Sequence, residues 1–194
     1  MQRLFVFLLV ILAACSQSTP ATPTSSMDHS TPATPMSSMD HSTMPMANSN
    51  QPYDALFIDS MIVHHEGAVT MARQALQESQ RAEIRQLAEA IIATQETEIA
   101  QMKAWRKAWY PDLPPTTGMM MEMGPMTVAG GDAPFDQRFI QAMIPHHEGA
   151  IAMARDALDK AEHAEIKTLA EAIISAQEAE IAQMREWLRT WFGK

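Results

Sequence analysis

The sequence predicts an all-α protein, a four-helix bundle built from two tandem helical hairpins behind a disordered Ser/Thr/Pro/Met stalk. Three observations predict it. Residues 57–109 align without a gap to residues 139–191 at an offset of 82, and 32 of the 53 positions are identical; this marks one structural unit used twice. Within each unit, apolar residues recur at the spacing of one helical face. Between residues 16 and 51 large aliphatic residues are almost absent, so that stretch buries too little surface to offset chain entropy.

Composition narrows the function. The chain has 194 residues, enough for one domain with a core and too few for two large ones. Lys+Arg 14 against Asp+Glu 23 leaves a net charge of −9, which opposes nucleic-acid binding. A single cysteine excludes a disulfide framework and any multi-Cys zinc site. Scarce glycine counts against nucleotide-binding loops. Methionine is the outlier, with 17 residues, and composition so skewed needs a reason.

Taken in chain order, residues 1–14 read as a signal peptide. Arg3 precedes an apolar run from Leu4 to Ala14, too short to cross a bilayer as a mature helix. The run ends Leu12-Ala13-Ala14-Cys15, which resembles the lipobox of bacterial lipoproteins. That resemblance implies cleavage before Cys15 and lipidation of its sulfur. The protein is then expected outside the cytoplasm, lipid-anchored to a bacterial membrane on its periplasmic or cell-surface side.

Residues 15–51 form the tether. Ser18 to His29 recurs almost letter for letter as Ser30 to His41, each copy ending Met-Asp-His-Ser, and Met44 and Met46 follow. Met27, His29, Met39, His41, Met44 and Met46 pair thioether and imidazole donors, a pattern suited to loose metal capture. A solvated spacer or a sink for oxidants is the plainer alternative.

Residues 52–110 and 134–194 are the hairpins. The first helix of each is expected over Pro52–Gln80 and Pro134–Glu162, with Asp132 as N-cap of the second copy and Pro134 in its first turn. The partner helix carries Ile84, Leu87, Ala88, Ile91, Gln95, Ile99, Met102 and Trp105 on one face, and the second copy repeats the series up to Met184 and Trp187. A lone hairpin leaves that stripe uncovered, whereas two close a bundle. The joint Glu78 to Ala82 contains neither Gly nor Pro. Trp105, Trp109, Trp187 and Trp191 read as packing at the bundle ends. In the connector, residues 111–133, Met119, Met120, Met121, Met123 and Met126 read as a thioether cluster, because a connector needs no hydrophobic side chains for packing.

At about 100° per residue, Met61, His64, His65 and Met71 fall within or beside the apolar stripe of the first helix, whereas Asp59, Glu66 and Arg73 fall opposite. Met143, His146, His147 and Met153 repeat this. A buried imidazole needs hydrogen-bond partners or a metal. Gln95, Glu98, Gln177 and Glu180 on the partner helices are candidate partners or ligands, as are Met102 and Met184. Four histidines and four methionines at matched positions favour metal coordination. Imidazole plus thioether without thiolate suits Cu(I) and the chemically similar Ag(I). Calcium and magnesium want oxygen donors that this face lacks. A di-iron centre would need a Glu-x-x-His pair at matching positions of both units, which is absent.

The run Phe139-Ile140-Gln141-Ala142-Met143-Ile144-Pro145-His146-His147-Glu148-Gly149-Ala150, with Leu169-Ala170-Glu171-Ala172-Ile173-Ile174 and Gln177-Glu178-Ala179-Glu180-Ile181 beyond it, resembles the bacterial "domain of unknown function 305" family. Both units match. The resemblance implies a ferritin-like bundle, and CopM-type members of the family bind copper outside the cytoplasm and support copper tolerance. The first unit departs from the pattern, with Val63 where the family has the proline kept at Pro145. The expectation is therefore an exported copper-binding lipoprotein that buffers the ion or delivers it to a partner protein. A metal-dependent oxidase and a purely structural bundle remain the alternatives.

Overall fold

The computed structural model describes residues 51–116, 118–119 and 121–194. Four helices make the fold: α1 (Tyr53–Glu78), α2 (Ala82–Trp109), α3 (Phe135–Lys160) and α4 (Ala164–Phe192), with no strand among the described residues. Helices α1 and α2 form one hairpin and α3 and α4 the other, and the hairpins meet mainly through α1 and α3. Residues 1–50, which include the proposed signal peptide, Cys15 and every stalk methionine and histidine, lie outside the described residues, as does Met120.

Pro52 and Pro134 are themselves the N-caps of α1 and α3, so Asp132 does not cap α3 and Pro134 is not in its first turn. Pro52 and Pro134 have ψ of 133° and 143°, outside the helical region. Helix α3 starts after Pro134, whose carbonyl accepts the amide of Arg138 at 3.1 Å. Neither cap makes a side-chain hydrogen bond.

Both first helices stop two residues earlier than the sequence predicts, at Glu78 and Lys160. Ser79 and Ala161 turn to extended backbone, with ψ of 137° and 139°. Tertiary contacts rather than glycine enforce these turns. The buried carboxylate of Asp54 accepts the backbone N–H groups of Glu162 and His163, at 3.0 and 2.9 Å, just before α4 begins. A negative charge at a helix N-terminus is favourable there.

Two apolar clusters fill the interior. In one, Ala68, Met71 and Ala75 from the C-terminal half of α1 join Phe139, Ile140 and Met143 from the N-terminal half of α3. In the other, Phe57, Ile58 and Met61 join Ala150, Met153 and Ala157. Helices α1 and α3 therefore run antiparallel, and exchanging the two units exchanges the clusters. Phe57 and Phe139 are fully buried counterparts, and truncating either to Ala should cost about 3–5 kcal/mol. The histidines sit between the two clusters, where the helices cross.

The connector between α2 and α3 spans this crossing, and specific contacts fasten it. The Arg106 guanidinium binds Asp59 at 2.8 Å and the carbonyls of Tyr110, Leu113 and Pro114. Thr116 N–H donates to Asp59 at 2.8 Å, and Met119 N–H to Ser60 Oγ at 2.6 Å. Val128 is buried in the first cluster, and Arg138 holds the carbonyls of Ala129 and Ala133. Met119 and Met121 are partly buried against the second cluster, so part of the connector's methionine does serve packing, contrary to expectation.

A candidate metal centre at the helix crossing

His64, His65, His146 and His147 have no exposed surface. The rings of His64 and His146 face each other across α1 and α3, with centroids 3.7 Å apart and planes inclined by 42°. His65 Nε2 donates to Glu98 Oε2 at 2.7 Å, and His147 Nε2 to Glu180 Oε2 at 2.6 Å. Each unit thus uses its second helix to orient its second histidine; of the candidate partners Gln95, Glu98, Gln177 and Glu180, the two glutamates bond histidines and the two glutamines do not.

The remaining ring nitrogens have no partner. Both nitrogens of His64, both of His146, and Nδ1 of His65 and His147 are buried without a hydrogen bond. Burial, reinforced by the neighbouring imidazoles, pushes the His64 pKa down to about 3 and that of His146 to about 2. Main-chain groups nearby pull weakly the other way without reaching hydrogen-bonding geometry. These rings are therefore neutral at any physiological pH, and each keeps one lone pair available. In the neutral form of a carboxylate-bound histidine, an Nε2–H donated to the carboxylate leaves the lone pair on Nδ1. A carboxylate that orients the far nitrogen of a histidine is a common outer-shell feature of metal sites.

Thioethers flank this layer on both sides. Met71, Met143 and Met184 belong to the first apolar cluster and Met61, Met102 and Met153 to the second, all six without exposed surface. Gln95 and Gln177 are 3% exposed, with side-chain oxygens that are unpartnered. They line a slot of about 10 Å³ between α2 and α4, together with Glu98 and Glu180; such a slot has room for roughly one water. No group of three or more His, Cys, Asp or Glu forms a ready ligand set among the described residues.

The connector reaches the same layer. Gly67 of α1 lies under Met126 and His146, and Gly149 of α3 lies under Glu122, Met123 and His64. Gly124, at φ +68°, rests against the backbone of Pro145 and His146, where a Cβ would stand 2.8 Å from three main-chain atoms. The sequence marked Met123 and Met126 as chemically odd but gave no sign that they lie over the histidines.

The sequence model of the Domain of unknown function (DUF305) family matches residues 11–106 and 54–188. The chain belongs to the DUF305 family. Among solved structures, it is 36% identical to CopM in the Cu(I)-bound form, with a TM-score of 0.62, covering 73% of this chain and 99% of that one. CopM in the Ag-bound form, obtained by soaking, is 37% identical with a TM-score of 0.63, covering 73% and 99%. A DUF305 fragment from Deinococcus radiodurans is 30% identical with a TM-score of 0.60, covering 71% and 96%. A search of curated proteins gives no significant match. The four-helix architecture is thus that of the DUF305 fold, and the paired histidines lie at its centre.

The tryptophans pack at the bundle ends as expected, although two partners went unforeseen. Trp105 stacks on Trp109, and Trp109 on His163 at 3.8 Å, whose Nδ1 is 2.6 Å from Asp54. At the opposite corner Trp187 stacks on Trp191, and Arg81, the counterpart of His163, lies 4.4 Å over Trp191 and binds Asp136. The 82-residue offset pairing Arg81 with His163 was the available signal.

Proposed function

We propose that this protein binds copper, with Cu(I) favoured and Ag(I) as its mimic, and serves to buffer or deliver the ion rather than to catalyse a reaction. The observation that carries the reading is the set of six buried ring nitrogens on His64, His65, His146 and His147 with no hydrogen-bond partner. Leaving such groups unpaired costs roughly 1–3 kcal/mol each, a burden that a bundle built for stability alone would not carry. Neutral imidazoles among thioethers offer a soft donor set. CopM, at 36–38% identity, has been crystallised with Cu(I), Cu(II) and Ag.

In this reading His64, His65, His146 and His147 are the nitrogen ligands, and Met61, Met71, Met143 and Met153 the candidate thioethers. Glu98 and Glu180 fix ring orientation, while Gln95, Gln177, Met102 and Met184 surround the site. Residues 1–14 direct export, Cys15 carries the lipid, and the 15–51 tether gathers ions for the two hairpins at 52–110 and 134–194. The run Leu4–Ala14 before Cys15 supports this placement.

The test is a competitive Cu(I) titration under anaerobic, reducing conditions, on residues 51–194 and on the same segment with all four histidines changed to Ala. Circular dichroism would first establish that the helices persist in the variant. Tight binding that disappears with the histidines supports the reading. A folded wild-type segment that binds no copper would reject it.

A further inference from the structure

The two histidine pairs are nearly identical in sequence, yet the connector treats them differently. A Cβ on Gly67 would stand 2.5 Å from Met126 Cε, 2.8 Å from its sulfur and 3.2 Å from His146 Nε2. The Met126 sulfur and the unpartnered His146 Nε2 therefore border one small volume, kept open by the missing side chain at Gly67. At the equivalent Gly149, a Cβ would meet Glu122 O at 2.9 Å and His64 Nε2 at 3.3 Å. There the nearest connector atoms are main-chain ones, the Glu122 carbonyl oxygen and the Met123 carbonyl carbon at 3.3 Å, where on the other side they belong to a thioether.

The asymmetry is encoded. Asp59 and Arg106, which pin the start of the connector, correspond at the 82-residue offset to Gln141 and Leu188. The second unit therefore lacks the ion pair that could hold a strap. Gly124, in a left-handed conformation against His146, places the strap's descending half over α3. Met126 is also partly exposed, unlike the six core methionines, so it can be reached from solvent where they cannot.

We propose that Met126 is a metal ligand, forming with His146 Nε2 a thioether–imidazole site for a soft monovalent ion that the symmetry-related His64 lacks. This rests on the copper-binding reading above. A sulfur and a neutral imidazole nitrogen suit Cu(I) or Ag(I), and the strap makes one half of a near-symmetric centre softer than the other.

The test uses the full chain and two variants. Met126→Leu keeps the volume and removes the sulfur, and Gly67→Ala fills the shared space while leaving the sulfur present. Each is titrated with Cu(I) against a competing chelator, and each copper-loaded protein is examined by X-ray absorption at the copper edge. Both variants should lose affinity for one bound ion by about tenfold or more, and Met126→Leu should lose sulfur scattering while its circular dichroism stays unchanged. Wild-type affinity and sulfur scattering in Met126→Leu would overturn the assignment. The chain with all four bundle histidines changed to Ala separates the two readings. If that chain loses copper while Met126→Leu is silent, the bundle binds copper without the strap; if it binds as wild type, the histidine centre itself is rejected.

Discussion

His64 and His146 face each other at 3.7 Å between centroids, and none of their four ring nitrogens has a hydrogen-bond partner. The contact lies where α1 and α3 cross, between two apolar clusters that could have merged into one had these positions been leucine. Replacing both partners of a buried polar pair by apolar groups of similar size is often neutral or stabilising, because no group is left unsatisfied. The pair therefore opposes stability in the metal-free protein.

The double variant His64→Leu/His146→Leu, free of metal, should be more stable than the parent by about 1–3 kcal/mol in urea unfolding, and should bind copper weakly. A marked loss of stability instead would make these histidines architectural.

Acid should act on the same pair. Both native-state pKa values are depressed far below the ordinary 6.5, chiefly by burial. Below pH 6.5 the unfolded chain takes up protons that the native rings refuse, so the unfolded state binds more protons and stability falls as pH falls. The contribution is fully present above pH 6.5 and declines by up to about 1.4 kcal/mol per pH unit for each ring on the way toward pH 3. Urea unfolding of the metal-free protein at pH 7.5, 6 and 5 should show this decline. The double leucine variant should show less of it, which separates the rings from the carboxylates. Bound copper requires neutral rings, so loading should shift the acid transition to lower pH.

Glu98 and Glu180 act at one remove. Each accepts the Nε2–H of a neighbouring histidine, at 2.7 and 2.6 Å, and thereby leaves Nδ1 as the lone-pair nitrogen. An amide can donate as well as accept, so Glu98→Gln and Glu180→Gln loosen that tautomer choice while keeping the shape. Copper affinity should fall by about 10–100-fold in each, with helicity unchanged by circular dichroism. Unchanged affinity would remove the carboxylates from the metal-binding account.

The helices, their facing stripes and the histidine layer were legible because they depend on periodicity, and the offset of 82 repeats every element. Features that depend on where distant segments meet were not legible. Nothing near Glu78 or Lys160 signals a helix end, since the second turn is held by Asp54 more than 100 residues away. The path of the connector was hidden for the same reason. Asp59 and Arg106 read as ordinary charges on two helices, and only folding brings them together at 2.8 Å to aim the methionines across the histidines.

The bundle corners separate architecture from metal chemistry. His163 stacks on Trp109 and binds the buried carboxylate of Asp54, just as Arg81 covers Trp191 and binds Asp136 at the opposite corner. His163→Ala removes the stack and one bond to a buried charge, while Asp54 keeps the two backbone N–H groups of Glu162 and His163. The expected cost is about 2 kcal/mol in urea unfolding, with copper affinity unchanged because the corner is remote from the helix crossing. His163→Arg, which copies the residue evolved at the other corner, should recover most of that loss. A variant that keeps its stability but loses copper would place His163 in the metal pathway and remove the corner from the architectural account.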